Sequence, residues 1–233
     1  KNFFDTTDVG DTINFSKDGK NYVILSNVGI TNQLQLFDSD TGKQIWSTII
    51  KDDSYAIKKV AYDSKTHSIF VTDKGNIIRK VDVSTGKVSD FYKIQNQPNT
   101  NKKVTNTLDV FVDNGILYIS TFPTAEVLAI DTTNAQLKNR WDVSAGTTNQ
   151  YALNITKDKD YIYSSIGATD NGVAEINTIT GEVRELPKPP NVSDTTDFLY
   201  RMKTIGDGLI STQYAILDSK GRKVENIAIY NRK

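Results

Sequence analysis

Five polar side chains recur at nearly even intervals along the 233 residues: Asn14, Lys58, Asp109, Asn154 and Arg201, spaced 44, 51, 45 and 47 apart. A second set lies three residues before each of them: Asp11, Tyr55, Asn106, Tyr151 and Phe198. Brought together, the ten would form a small polar pocket walled by two Tyr and one Phe. Lys58 and Arg201 would hold an anionic or carbonyl group, and the rings would stack on sugar faces. Asp109 and Asp11 are the only carboxylates in the two sets. They are therefore the only pair that could act as acid and base in a hydrolase. The competing reading is a wet channel whose polar groups satisfy one another, with Asp109 beside a cation.

Other chemistry is thinner. His67 is the single His and stands in the turn Ser64-Lys65-Thr66-His67-Ser68, so a multi-His metal centre is excluded and Ser–His catalysis is disfavoured. With no Cys there is no disulfide, thiolate ligand or thiol nucleophile. Asp38-Ser39-Asp40-Thr41-Gly42 superficially suggests a Ca²⁺ loop but lacks the distal Glu, and reads as a hairpin turn. No Gly-rich phosphate loop occurs. No catalytic residue, metal or cofactor is assigned. Lys and Arg balance Asp and Glu at 28 each, which argues against nucleic acid and anionic membrane as partners. No window approaches 18 consecutive apolar residues, so no membrane span is expected. The only Met is Met202, which reads Lys1 as a processed or cut end with any signal peptide already removed.

The elements that must position these residues repeat with them. Short apolar runs end in a hydroxyl: Val23-Ile24-Leu25-Ser26, Ile69-Phe70-Val71-Thr72, Leu117-Tyr118-Ile119-Ser120, Ile162-Tyr163-Ser164-Ser165 and Leu209-Ile210-Ser211-Thr212. Their hydroxyls are 46, 48, 45 and 47 apart, and the interval from Thr212 round the chain end back to Ser26 is 47. A further marker follows the first four runs: Leu36-Phe37-Asp38, Lys80-Val81-Asp82, Ala129-Ile130-Asp131 and Glu175-Ile176-Asn177. Each of these leads into a turn whose Gly or Asn supplies positive φ. Alternating β-branched and aromatic residues between such turns read as strands, and no amphipathic helix is found. Four short strands per 40–50 residues, repeated, is a β-propeller signature.

Phe37-Asp38-Ser39-Asp40-Thr41-Gly42-Lys43-Gln44-Ile45-Trp46 and Ala129-Ile130-Asp131 resemble the quinoprotein-like (PQQ-like) repeat, written A-x-D-x-x-T-G-x-x-x-W, and the related YVTN-type surface-antigen propellers. Trp46 stands at the family position, Trp141 two residues late, and Asp90 and Glu185 replace it elsewhere. The inter-blade tryptophan contacts of quinoprotein enzymes are thus expected to be mostly absent. The resemblance implies a propeller. It does not bring the eight blades, Ca²⁺ site or cofactor of those dehydrogenases, because the chain is about half their length.

The expected fold is all-β: a five-bladed β-propeller of four-stranded antiparallel blades in one domain, 1–233. The blades run roughly 11–50, 55–94, 106–143, 151–187 and 198–231 plus 2–6, residues 2–6 completing the last blade and closing the ring. The longest loops are expected at 95–105, 187–197 and 213–225, with Phe122-Pro123 as an exposed apolar tip. The expected function is a non-catalytic binding or scaffold propeller, monomeric, extracellular or on a bacterial cell surface. It would engage a carbohydrate or protein partner at the channel mouth and its loops. The alternative is a carbohydrate- or lactone-acting enzyme with an axial pocket around Asp109.

Overall fold

The computed structural model describes residues 9–27, 33–50, 59–72, 75–97, 102–144, 146, 148–167, 171–190, 192, 199–217 and 223–232. Among them are nineteen β-strands and no helix. The first sheet holds β1 (Val9–Lys17), β2 (Lys20–Asn27), β3 (Gln33–Asp38) and β4 (Gln44–Ile49). The second holds β5 (Lys59–Asp63), β6 (Ser68–Thr72), β7 (Ile77–Asp82) and β8 (Val88–Lys93). The third holds β9 (Asn106–Asp113), β10 (Ile116–Phe122), β11 (Glu126–Asp131) and β12 (Leu137–Asp142). The fourth holds β13 (Tyr151–Asp158), β14 (Tyr161–Gly167), β15 (Gly172–Asn177) and β16 (Val183–Glu185). The fifth holds β17 (Tyr200–Gly206), β18 (Leu209–Leu217) and β19 (Lys223–Asn231). Strands follow chain order across every sheet, and the sheets are antiparallel. Closure of the ring by residues 2–6 lies outside the described residues.

One turn is built four times, between the third and fourth strands. In it the first residue's N–H donates to the carbonyl of the sixth: Asp38 to Lys43, Asp82 to Lys87, Asp131 to Gln136, Asn177 to Glu182, all at 2.9–3.0 Å. The fifth residue's N–H returns to the first carbonyl, and that fifth residue has positive φ: Gly42, Gly86, Ala135 and Gly181. The leading Asp or Asn accepts the turn's other donors. Asp38 Oδ1 takes the Thr41 N–H and hydroxyl at 2.8 and 2.9 Å, and Asp82 Oδ1 takes both from Thr85 at 2.9 Å. Asp131 does the same with Thr133, and Asn177 with the N–H groups of Ile179 and Thr180. A short carboxylate that mimics a backbone acceptor explains why the repeat requires Asp and Thr. The Asp38 oxygen is thus engaged by its own turn, which accounts for the Ca²⁺-like pattern.

The hydroxyls ending two of the runs have a structural use as well. Thr72 Oγ1 accepts from the Lys59 N–H at 3.0 Å and donates to the Lys59 carbonyl at 3.1 Å. Ser165 Oγ accepts from the Asn154 N–H at 3.0 Å, where the β13–β14 register shifts between Ala152 and Ile155. Both hydroxyls tie down backbone of the first strand, Thr72 where the β5–β6 ladder starts and Ser165 where the β13–β14 ladder shifts.

Residues 213–217 and 223–225 are strand and not part of the enlarged loop the sequence suggests. β18 and β19 form a long hairpin paired from Leu209↔Asn231 to Leu217↔Lys223. Tyr214 is buried and points into the core, so apolar alternation continues past the hydroxyl run. The loop at 187–197 likewise contributes buried Val192 to that core.

The described chain divides into two compact units: Lys1–Gln95 with Thr105–Tyr118 and Ile130–Leu137, and Asn96–Val104 with Ile119–Ala129 and Lys138–Lys233. The first has an aliphatic core of Ile24, Leu34, Leu36, Val60, Ile69, Val71 and Val81. Phe15 packs against it, its ring centroid 4.1 Å from that of Tyr62 and 5.2 Å from that of Tyr22. The second has a core richer in Tyr, with Tyr163, Tyr214 and Tyr230 beside Val173, Leu186, Leu199, Met202 and Ile210.

Candidate functional site

In the first unit, Asp11 lies on β1 next to the register shift after Val9, and its backbone pairs with Ser26. Its side chain, and all of Tyr55 and Lys58, lie outside the described residues. Asn14 is exposed on β1 opposite Val23. Asn106 opens β9, its Oδ1 shielded from solvent without a hydrogen-bond partner among the described residues. Asp109 is half-buried, and its Oδ1 accepts the Val110 N–H at 2.9 Å. In the second unit, Tyr151 opens β13 and stacks on Phe122, ring centroids 4.4 Å apart at 24°. Phe122 is therefore half-buried cover for Tyr151 and not an exposed tip. Asn154 Oδ1 accepts the Arg201 N–H at 2.9 Å, joining β13 to β17. The Arg201 side chain is exposed and its φ is +52°. Phe198 lies outside the described residues.

The structure thus brings Asn154 to the backbone of Arg201 and Tyr151 to Phe122. The described polar side chains of the set are used partly on the backbone: Asp109 and Asn154 each accept a main-chain N–H. His67 is half-buried, with Nδ1 3.1 Å from the Tyr62 hydroxyl. Burial, and then the Lys17 charge, lower its pKa from the usual value of 6.5. Among the described residues, no group of three His, Cys, Asp or Glu is placed to hold a metal ion.

Sequence reasoning missed a charged cluster between the fourth and fifth sheets. Glu175, on β15 and only 4% exposed, accepts the Arg184 Nε–H at 2.8 Å. Its other oxygen lies 3.2 Å from Arg232 Nε, and the Arg232 guanidinium lies 3.3 Å from the centre of the Tyr161 ring. Arg184 also donates to the Arg232 carbonyl at 3.2 Å. Burial and the Glu175 charge push the Tyr163 hydroxyl up to about 12. The Glu175 hydrogen bond and charge raise Arg184. The signal was an acidic residue inside an apolar third strand, with Arg nine residues later. Glu126 and Arg140 form another third-strand to fourth-strand pair of this kind, fourteen residues apart and two-pronged at 2.6 and 2.7 Å.

This cluster stands where other sheets use tryptophan. Trp46 lies opposite Leu36, two residues before Asp38, and its Nε1 donates to the Val83 carbonyl at 2.7 Å. Arg184 lies opposite Glu175, two residues before Asn177, and reaches the Arg232 carbonyl. Val83 and Arg232 each follow the last residue of a third strand, β7 and β19. Trp46 also fills the Gly86 turn, where an added Cβ would lie 3.0 Å from the ring. Trp141 is buried with Nε1 near Gly181, although it stands two residues late. Both tryptophans make such inter-sheet contacts, Trp141 among them despite its late position, while the other three sheets have no tryptophan.

Residues 16–185, which run from the end of β1 through the fourth sheet and carry the repeated Asp/Asn-led turns, are matched by a family model described as outer membrane protein assembly factor BamB. The chain belongs to this PQQ-like β-propeller repeat family. BamB-like repeats account for well over half of its length. Among solved structures, the chain is similar to Saccharomyces cerevisiae Sqt1, with a TM-score of 0.61 and 11% identity over 88% of this chain and 56% of that one. It is also similar to the computationally designed Ika8 protein, with a TM-score of 0.58 and 12% identity over 91% and 59%. At these identities the likeness concerns the fold alone. The chain spans less than two thirds of the length of either. No curated protein matches the sequence.

Proposed function

We propose that this chain is a non-catalytic binding or scaffold propeller, extracytoplasmic and on or outside a bacterial cell, engaging a ligand or protein partner at its channel mouth. The observation that carries this reading is membership of a family described by an assembly factor. Using Asp109 and Asn154 to hold main-chain N–H groups supports the non-catalytic part. The mouth residues are Asp11, Asn14, Tyr55, Lys58, Asn106, Asp109, Tyr151, Asn154, Phe198 and Arg201. The buried, unpartnered Asn106 Oδ1 and the stacked Tyr151–Phe122 pair favour a polar ligand with a flat face, such as a carbohydrate, or a protein loop. The full proposal is a monomeric five-bladed ring, 1–233, in which residues 2–6 supply the fourth strand of the fifth sheet. The circular spacing of the repeats and the three strands of that sheet among the described residues support it.

The test is binding to a panel of mono- and oligosaccharides, and a pulldown from envelope extracts, comparing wild type with Tyr151→Ala and Arg201→Ala. A native-state ligand raises the melting temperature by mass action. The reading predicts a carbohydrate shift or a captured partner that both variants weaken. Turnover of a glycoside or lactone, abolished by Asp109→Asn, would contradict it and establish the enzyme alternative.

A further inference from the structure

A second cavity lies away from the mouth residues, at the turns joining β13 to β14 and β17 to β18. It measures about 450 Å³ and is lined by Asp158, Lys159, Arg184, Asp207, Gly208 and Arg232. That volume falls within the range of small-molecule sites. Five of the six lining residues carry charge. We infer that this cavity binds a small molecule bearing one carboxylate together with hydroxyl or ammonium donors, the chemistry shared by hydroxy acids and by amino acids or dipeptides.

The argument begins with what holds the cations. The buried Glu175 accepts a hydrogen bond from Arg184 Nε through one oxygen and forms an ion pair, without a hydrogen bond among the described residues, with Arg232 Nε through the other, so one carboxylate draws two guanidinium groups side by side. Arg232 is further pinned on the Tyr161 ring. Its carbonyl accepts from Arg184, and its N–H donates to the Gly208 carbonyl at 2.9 Å. Arg232 faces Glu175 through Nε, and Arg184 gives Nε to Glu175 and one outer donor to the Arg232 carbonyl, so outer N–H groups remain for a second, planar acceptor, which suits a carboxylate. The geometry is preformed, so little ordering opposes binding.

The rim supplies the other half. The Lys159 ammonium and the Asp158 and Asp207 carboxylates make no hydrogen bond or ion pair with a described side chain. Lys159 and Asp207 both have φ of +52°, in turns that present them to the cavity. With Glu175 included, three cations face three carboxylates. A phosphate, carrying nearly two negative charges at neutral pH, meets two unpaired carboxylates at the rim. A single carboxylate is compensated by the guanidinium pair, and its donors meet Asp158 and Asp207. Gly208 keeps this space open, because an added Cβ would lie 3.2 Å from the Arg232 side chain.

Titration calorimetry with glycylglycine, gluconate, acetate and inorganic phosphate tests this on the whole chain. Lys159→Asn and Asp207→Asn are the variants, since both are exposed turn positions where Asn accepts positive φ. Saturable binding of glycylglycine or gluconate with Kd on the order of 1 mM or tighter is expected. It should exceed acetate and phosphate by about tenfold and weaken about tenfold in at least one variant whose melting temperature is unchanged. A preference for glycylglycine identifies ammonium as the donor, and a preference for gluconate identifies hydroxyl. Phosphate or acetate binding as well as the others, equal binding by both variants, or no saturable binding of any probe would overturn the inference. None of these results touches Tyr151 or Arg201, so this site and the mouth succeed or fail separately.

Discussion

The joint at Trp46 and the joint at Arg184 solve one problem with opposite chemistry. Both must satisfy the carbonyl that follows a third strand and fill the space beside the next sheet. Trp46 does so with an indole N–H and a ring laid on Gly86. Arg184 does so with a guanidinium, and this works only because Glu175 lies behind it. The indole needs nothing beyond a glycine to lie on. The guanidinium needs a buried carboxylate, a second arginine and a tyrosine ring, and it leaves a cavity. The lesson is that a repeat position can keep its hydrogen-bonding role while its side chain changes class, provided the partners change with it.

Removing the support behind the charged joint should have the largest effect. Glu175→Ala leaves two guanidinium groups without their carboxylate, one beside buried tyrosines. A loss of about 3 kcal/mol is expected, at the low end for a broken buried pair because Arg184 is 50% exposed. For a chain of this size that is a fall in melting temperature of about 6–12 °C. Calorimetric melting would measure it, and a fall under about 2 °C would mean that the cluster is ornamental. Next is Trp46→Phe, which keeps a ring on Gly86 but leaves the Val83 carbonyl unpaired. About 1–2 kcal/mol should be lost, read from urea unfolding. Gly86→Ala adds a Cβ 3.0 Å from Trp46 at φ +72° and should lose about 1–2 kcal/mol. Its effect should shrink but persist in a Trp46→Ala background, because the contact with the ring is gone while the positive-φ backbone strain remains.

The smallest effect concerns pH within the first unit. His67 has a lowered pKa, so the unfolded chain binds its proton more readily than the folded one. The stability it contributes is present above pH 6.5 and is lost as pH falls through the folded value. Stability measured from pH 7.5 down to about 5 should therefore decline slightly in wild type, and His67→Gln should remove that slope. Asp38, Asp63 and Asp82 add a second decline below their ordinary value of 3.8, since turn hydrogen bonds lower all three. For Asp63, burial acts the other way and is outweighed by bonds from Thr66, Thr132 and Lys65.

The repeat was legible because its marks are local chemistry. Asp38, Asp82 and Asp131 close their own turns, and Thr72 and Ser165 hold adjacent backbone, so type and spacing carry the information without tertiary knowledge. The Glu175 cluster was not legible, because Arg232 is 57 residues away and nothing local announces that it turns toward Glu175. Counts from the turn do not carry from sheet to sheet, because the β3–β4 ladder shifts between Leu36 and Phe37, whereas β15–β16 does not. The run at 213–225 reads as a loop in the sequence because its polar residues hide the alternation that continues around Tyr214. The mouth set is legible as a pattern, and the Asn154 Oδ1 bond from the Arg201 N–H joins two of its members.

The most direct test of the charged joint is a double-mutant cycle on Glu175→Gln and Arg184→Gln, measured by urea unfolding. The control is the same cycle on Arg79 and Asp90, a β7–β8 pair whose Asp90 is 62% exposed. A supporting joint predicts a coupling of at least about 1.5 kcal/mol for Glu175–Arg184 and under about 0.5 kcal/mol for the control. Equal couplings at the two pairs would contradict it, and the cluster would then be one more surface salt bridge.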